Sequence, residues 1–202
     1  ILSMMSVLIL WAVVPLAPSI LGVDLNIGAL YIIAAGAIGA LSIIMAGWSS
    51  NNKYSLIGAF REVAVMLSFE IPMLTVMLIP TIFTGSMGIG AITQAQDTWF
   101  VFLAPLAAVI FLIAAIAELG RAPFDMGEAE SELISGYNIE YSGMKFGMFY
   151  AGELLHAFTF GGFWAILFFG GYRFFGLEQV SAFLAVAILF FKAFIGYWII
   201  MW

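Results

Sequence analysis

The sequence predicts an all-α fold, a polytopic bundle of transmembrane helices, and three observations predict it. Of 202 residues, 64% are hydrophobic and 9% charged, where soluble domains run at roughly 45–50% and about 25%. One core cannot hide that excess from water, so part of it has to face lipid. The apolar residues also fall into six stretches close to the roughly 20 residues that cross a bilayer at a rise of about 1.5 Å each. Between these stretches lie five polar or Gly-rich connections, which a chain that satisfies its backbone within each span places alternately on the two sides.

The six expected spans are Ile1 to about Leu21, Gly28 to about Gly47, about Val63 to Phe83, Phe100 to about Ala117, about Phe146 to Phe169, and about Ala182 to Trp202. The chain is already apolar at Ile1 and still apolar at Trp202. Residues 1–202 are therefore read as one membrane domain of a longer chain, truncated at both ends. Pro72 and Pro80 interrupt the third span and are expected to kink it at most. The segment with Gly85, Gly88 and Gly90 has no Lys-Ser/Thr tail and no strand before it, so it is read as a connection and not as a phosphate loop.

Orientation follows from the basic residues. The connections holding Asp24, Gly85 to Asp97, and Arg173 carry one base, whereas Trp48 to Arg61 and the long loop 118–145 carry Lys53, Arg61, Arg121 and Lys145. The positive-inside rule puts the second set, and loop 118–145 with it, in the cytoplasm.

Composition excludes several chemistries. There is no Cys and one His, so disulfides, thiol catalysis, Cys-ligated zinc or iron–sulfur clusters and bis-His haem are ruled out, and no metal site is expected. A net charge of −6 without any run of Lys or Arg leaves nothing to grip nucleic acid.

Seven of the twelve acidic residues lie between Glu118 and Glu153: these two, Asp125, Glu128, Glu130, Glu132 and Glu140. In GRAPFDMGEAESELISGYNIEYSG the stretch from Glu128 winds a helical turn that puts Glu128 and Glu132 on one face, with Glu130 pointing away. Two like charges held so close share a proton more cheaply than both ionise, which suits a proton-handling pair; a solvated acidic loop is the other reading. Glu70 in MLSFEIPM and Glu153 in FYAGELLHAF lie inside spans, and Glu118 closes one. A charge there costs on the order of 3 kcal/mol on insertion scales, so such groups face the bundle interior, a water cavity or a partner. All three are expected to take up and release protons. His156, three residues after Glu153, is placed to pair with it or to make a structural hydrogen bond. Lys192, deep in the last span, needs a carboxylate, a carbonyl or water, or snorkels to the surface. Arg61 and Glu62 stand at the mouth of the third span, with Glu70 eight residues beyond Glu62 and about 12 Å deeper, and Arg121 is spaced to pair with Glu118 or with the acidic loop.

The segments AELGRAPFDMGEAESELISGYNIEYSGMKFGMFYAGE and GWSSNNKYSLIGAFREVAVMLSFEIPM, with DLNIGALYI before them, closely resemble the H subunit of respiratory complex I (mitochondrial subunit 1). The resemblance covers essentially the whole chain. It implies a membrane subunit at the meeting of the electron-transfer arm and the proton-pumping arm, forming part of a quinone chamber. By motif position Glu70, Glu118 and Glu153 resemble the intramembrane carboxylates of the coupling path. Glu128, Glu130 and Glu132 resemble loop acids beside the quinone headgroup, and Arg61, Arg121, Asp125 and Glu140 fall in the same chamber region. Quinone is then the substrate, while FMN and iron–sulfur clusters belong to partner subunits. The implied partners are the peripheral iron–sulfur and quinone-site subunits and the antiporter-like and small membrane subunits, in a prokaryotic plasma membrane or another energy-transducing membrane.

The family also has a first span and an amphipathic helix ahead of this chain's start and a span beyond its end. Two local departures stand out: Glu62 follows Arg61 where the family often has a small residue, and AELGR replaces the usual AET or AEC form, as in ferredoxin-linked relatives. The electron donor thus stays open between NADH and ferredoxin. Alternatives to a quinone-reducing complex are the matching subunit of an energy-converting membrane hydrogenase, a free-standing ion transporter and a structural anchor.

Overall fold

A computed structural model describes residues 1–125, 136–174, 176 and 181–202. Glu128, Glu130 and Glu132 lie outside the described residues. The rest is a helical bundle with one two-stranded hairpin. In chain order the helices are α1 (Leu2–Leu10), α2 (Gly28–Ser49), α3 (Lys53–Thr84), α4 (Ile89–Gln94), α5 (Phe100–Leu103), α6 (Pro105–Glu118), α7 (Met144–Phe169) and α8 (Ala182–Met201). Among the described residues α2, α3, α7 and α8 are long and apolar enough to cross a membrane, and 2–13 and 105–118 are shorter apolar helices. The all-α polytopic bundle is the architecture expected from composition.

Prolines account for the two short members. The stretch from Ile1 to Leu21 does not run as one helix: α1 passes into a single 3₁₀ turn (Trp11–Val13), and Val14, the residue before Pro15, turns extended at φ −75°, ψ 119°. A residue ahead of proline is pushed out of the helical region, and proline offers no N–H. The chain then folds back as strands β1 (Pro15–Ala17) and β2 (Ile20–Leu21), paired antiparallel. Val23 donates its amide to the Ala12 carbonyl at 2.9 Å. Non-helical backbone at membrane depth is tolerated where protein covers it, and Val13, Val14 and Ala17 of this segment are buried. Pro105 acts likewise, since Ala104 before it breaks the expected fourth span into α5 and α6.

The third span begins ten residues earlier than hydropathy suggests. Asn51 takes a left-handed conformation and Asn52 caps the helix, its side chain accepting the Tyr54 amide at 3.0 Å. Helix α3 thus runs for 32 residues, about 48 Å, and Lys53 to Arg61 are helical and not loop. The helix continues through Pro72 and Pro80 and stops at Gly85, a left-handed C-cap.

The core joins α1, α2, α3, α6, α7 and α8 around Phe111, Phe163 and Phe168, all but fully buried. Trp11 on the 3₁₀ turn donates to Thr159 on α7, and Trp164 on α7 donates to the Ala108 carbonyl on α6. Helices α7 and α8 approach closely, and a methyl group on Gly161 would stand 2.5 Å from the Ala193 carbonyl oxygen. Small residues at helix crossings are what membrane packing selects, because lipid gives helices no hydrophobic reason to associate. Facing outward are Leu41, Ile71, Ile82, Phe102, Leu106, Phe183 and Phe191, each more than half exposed.

Candidate functional site

Three helices turn a carboxylate toward one cavity. On α3 the buried line Ser55, Ala59, Glu62, Met66 follows helical spacing, and it carries Glu62 inward at 7% exposure. On α6 the line Phe111, Ala115, Glu118 does the same for Glu118, at 8% exposure. On α7 Gly152 and His156 are buried and Glu153 between them is half-buried. The cavity between them has about 50 Å³ of room for water-sized molecules, enough for a few waters at roughly 10–15 Å³ each. Ser3 and Ser6 on α1, Gly39 and Ser42 on α2, Tyr137 and several apolar side chains complete its wall. Glu62, Leu119, Tyr137 and Glu153 also line a second cavity of about 290 Å³, which continues to Arg121, Asp125 and the end of α8.

Glu153 is held by the 3₁₀ turn Gly136–Asn138. The Tyr137 hydroxyl donates to Glu153 Oε1 at 2.8 Å, and the Tyr137 carbonyl accepts from Ser55 Oγ on α3 at 3.2 Å. Arg121 stands 3.8 Å from the other Glu153 oxygen, with both side chains about one-third exposed. At that separation the pair steers charge more than it stabilises. Gly120 follows α6 in a left-handed turn, and the Glu62 carboxylate lies against it where no side chain intervenes.

The expected site residues divide accordingly. Glu118, Glu153, Arg121 and Asp125 come together at the two cavities. Glu70 is half-buried on α3, outside the cavity lining, on a helix that packs against α6. Arg61 is exposed on α3. Glu140 is exposed too and accepts from Asn52 at 3.2 Å, tying the loop to the turn between α2 and α3. Arg121 pairs with Glu153 and not with Glu118. His156 does not pair with Glu153; its ring stacks on Phe160 at 4.6 Å, and its Nε2 is buried with no hydrogen-bond partner among the described residues. Glu118 Oε2 is in the same condition.

Spacing alone understated Glu62, which it treated as part of a loop mouth. The signal was the N-cap: a helix beginning at Asn52 puts Glu62 on the inward face. Tyr137, Ser3 and Ser6 carry no signal in sequence, because tertiary packing brings them in.

Lys192 sits at the opposite end of the bundle. Its ammonium donates to the carbonyls of Phe169, Gly171 and Arg173 at 2.7, 2.9 and 2.6 Å and lies over the Trp99 ring at 5.2 Å. It therefore caps the end of α7, where the helix carbonyls would otherwise lack donors. Among the described residues no group of three His, Asp or Glu side chains is arranged to hold a metal ion.

The NADH dehydrogenase family model matches residues 1–202. The chain is 45% identical to the H subunit of NADH-quinone oxidoreductase from Dehalococcoides mccartyi (strain CBDB1) over 185 residues, 92% of this chain and 52% of that protein. It is 48% identical to the H subunit from Brevibacillus brevis over 162 residues, 80% and 48% of the two chains, and 45% identical to NADH-quinone oxidoreductase subunit 8 of Rhodothermus marinus over 167 residues, 80% and 49%. The chain spans about half the length of these curated relatives. With the whole of its length matched and its most distinctive acidic segments in place, the chain belongs to the NADH dehydrogenase family, as an integral membrane relative of the H subunit of complex I.

Proposed function

We propose that this chain forms part of the quinone chamber of a proton-translocating NADH- or ferredoxin-driven quinone oxidoreductase and begins the acidic path that couples quinone reduction to proton movement. The observation that carries this reading is the gathering of Glu62, Glu118 and Glu153 from three helices around one cavity, with Glu62 and Glu153 also lining a second that reaches Arg121 and Asp125. Its relatives are named as NADH-quinone oxidoreductase subunits. The chain has no Cys and one His, so electrons reach quinone from iron–sulfur clusters, and upstream FMN, held by peripheral partners. Antiporter-like and small membrane subunits receive the signal on the other side.

In this mechanism the reduced quinone headgroup draws a proton or repels charge among Asp125, Glu128, Glu130, Glu132 and Glu140 at the cytoplasmic face. The change passes inward by electrostatics to Glu153 and Glu118 and onward to Glu70. Two unit charges 4 Å apart at an effective dielectric of about 20 interact by about 4 kcal/mol, equivalent to about three powers of ten in a protonation equilibrium. Arg121 and Tyr137 position Glu153 by the contacts described above. Arg61 adds positive charge beside the entrance.

The experiment is quinone reduction and proton pumping by the intact complex in liposomes, with Glu70→Gln and Glu118→Gln against wild type under one electron donor. Loss of pumping, with fewer protons moved per quinone reduced, supports the reading. A wild-type complex that turns over without any quinone dependence rejects the chamber assignment.

A further inference from the structure

His156 is the one imidazole of the chain, and no step above uses it. It is 9% exposed on α7, held flat against Phe160 with 19° between the rings. Its Nε2 and the Oε2 of Glu118 are both buried without a hydrogen-bond partner among the described residues, and both side chains line the same small cavity. Burying such groups unpaired is unfavourable, and more so for a charged one. Water needs polar partners and room, and this cavity supplies both.

Two glycines one turn apart on α2 leave space beside these groups. A methyl group on Gly36 would sit 3.8 Å from Glu118 Oε1, and one on Gly39 would sit 3.5 Å from Ser6 Oγ and 4.0 Å from His156 Cε1. Two hydroxyls also face the cavity. Ser6 donates to the Ser3 carbonyl and Ser42 to the Gly39 carbonyl, each at 2.7 Å, so each keeps lone pairs for a water proton. Besides His156, the ionisable groups lining the space are Glu62 from α3, Glu118 from α6, Glu153 from α7 and Tyr137; the polar side chains from α1 and α2 are the serines Ser3, Ser6 and Ser42.

We infer that this cavity is a hydrated proton-transfer site in which water links Glu118 to His156, making His156 a relay residue of the path. A protonated Glu118 passes its proton to a bridging water as that water passes another to His156 Nε2. The products are the Glu118 carboxylate and an imidazolium that shares the cavity with it, Glu62 and Glu153, and the reverse transfer restores both groups. No covalent bond other than O–H and N–H changes. The inference rests on the proposed coupling role of Glu118 and adds a partner for it.

The test uses the intact complex. A cryo-electron microscopy map at a resolution that shows water is expected to place ordered water against both Glu118 Oε2 and His156 Nε2; a dry cavity, or protein groups saturating both atoms, overturns the inference without any mutation. In liposomes, His156→Phe keeps the ring stack but removes both nitrogens. It is expected to reduce protons moved per electron at least tenfold in assembled complex, and to shift the protonated-carboxyl infrared band that Glu118→Gln abolishes. His156→Asn, smaller and not titratable, is expected to lose coupling as well and covers the case in which the Phe variant does not assemble. Normal pumping in either His156 variant while Glu118→Gln fails overturns the relay and leaves the proposed function standing. Normal pumping in Glu118→Gln removes both.

Discussion

The carboxylate of Glu62 packs against the bare backbone of Gly120, so that the third turn of α3 is fitted to the turn that follows α6. Gly120 has φ +60°, a conformation that costs an ordinary residue about 1–2 kcal/mol, and a methyl group there would also collide with the carboxylate. Gly120→Ala is therefore expected to lower the thermal stability of the assembled complex and to displace Glu62 from both cavities. Thermal unfolding of the purified complex checks it. An unchanged midpoint would show that the contact is not needed.

Gly161 and Gly196 let α7 and α8 touch backbone to backbone, the Gly196 methyl position lying 2.8 Å from Gly161 Cα. Gly161→Val forces the helices apart, and overpacking of this kind costs about 1–3 kcal/mol or more. The expected result is a fall in the amount of this chain incorporated in membranes, read by quantitative blotting, while Gly147→Ala, in open space on the same helix, leaves it unchanged.

Lys192→Met keeps the stem of the side chain and removes the donor for three carbonyls at the end of α7. With each unsatisfied carbonyl costing roughly 1–3 kcal/mol, the turn at Gly170 to Arg173 should open. Faster amide hydrogen exchange there, with exchange at the Glu118 end unaltered, is the expected signature.

Tyr137→Phe deletes the hydroxyl that holds Glu153 but keeps the aromatic contact with Phe149, whose ring centre is 5.7 Å away. The stability cost is expected to be small, about 1 kcal/mol, and the effect on coupling larger, because Glu153 then swings toward Arg121. Comparing unfolding midpoints with pumping rates separates the two.

How far the sequence could be read depended on which force dominated each segment. Hydropathy located α2, α7 and α8 within about two residues, because lipid exposure along a whole span leaves a long, uninterrupted apolar signal. It missed the breaks at Val14 and Ala104, although Pro15 and Pro105 were the visible cause, since an averaged window does not register a missing N–H. It also began α3 late, because Lys53, Arg61 and Glu62 depress the average over turns that Asn52 caps. At the site, Glu118, Glu153 and Arg121 were legible as charges that apolar surroundings would not tolerate unpaired. Their pairing was not, for spacing put Glu153 beside His156 while the fold gave it to Tyr137. Tyr137 and the α1 serines reach the cavity only through packing between segments far apart in sequence.

The most direct measurement of the central claim is the number of protons pumped per quinone reduced by the intact complex in liposomes carrying Glu118→Gln. The account predicts that pumping collapses while the complex stays assembled and its iron–sulfur clusters remain reducible. A Glu118→Gln complex that pumps at the wild-type ratio would contradict it.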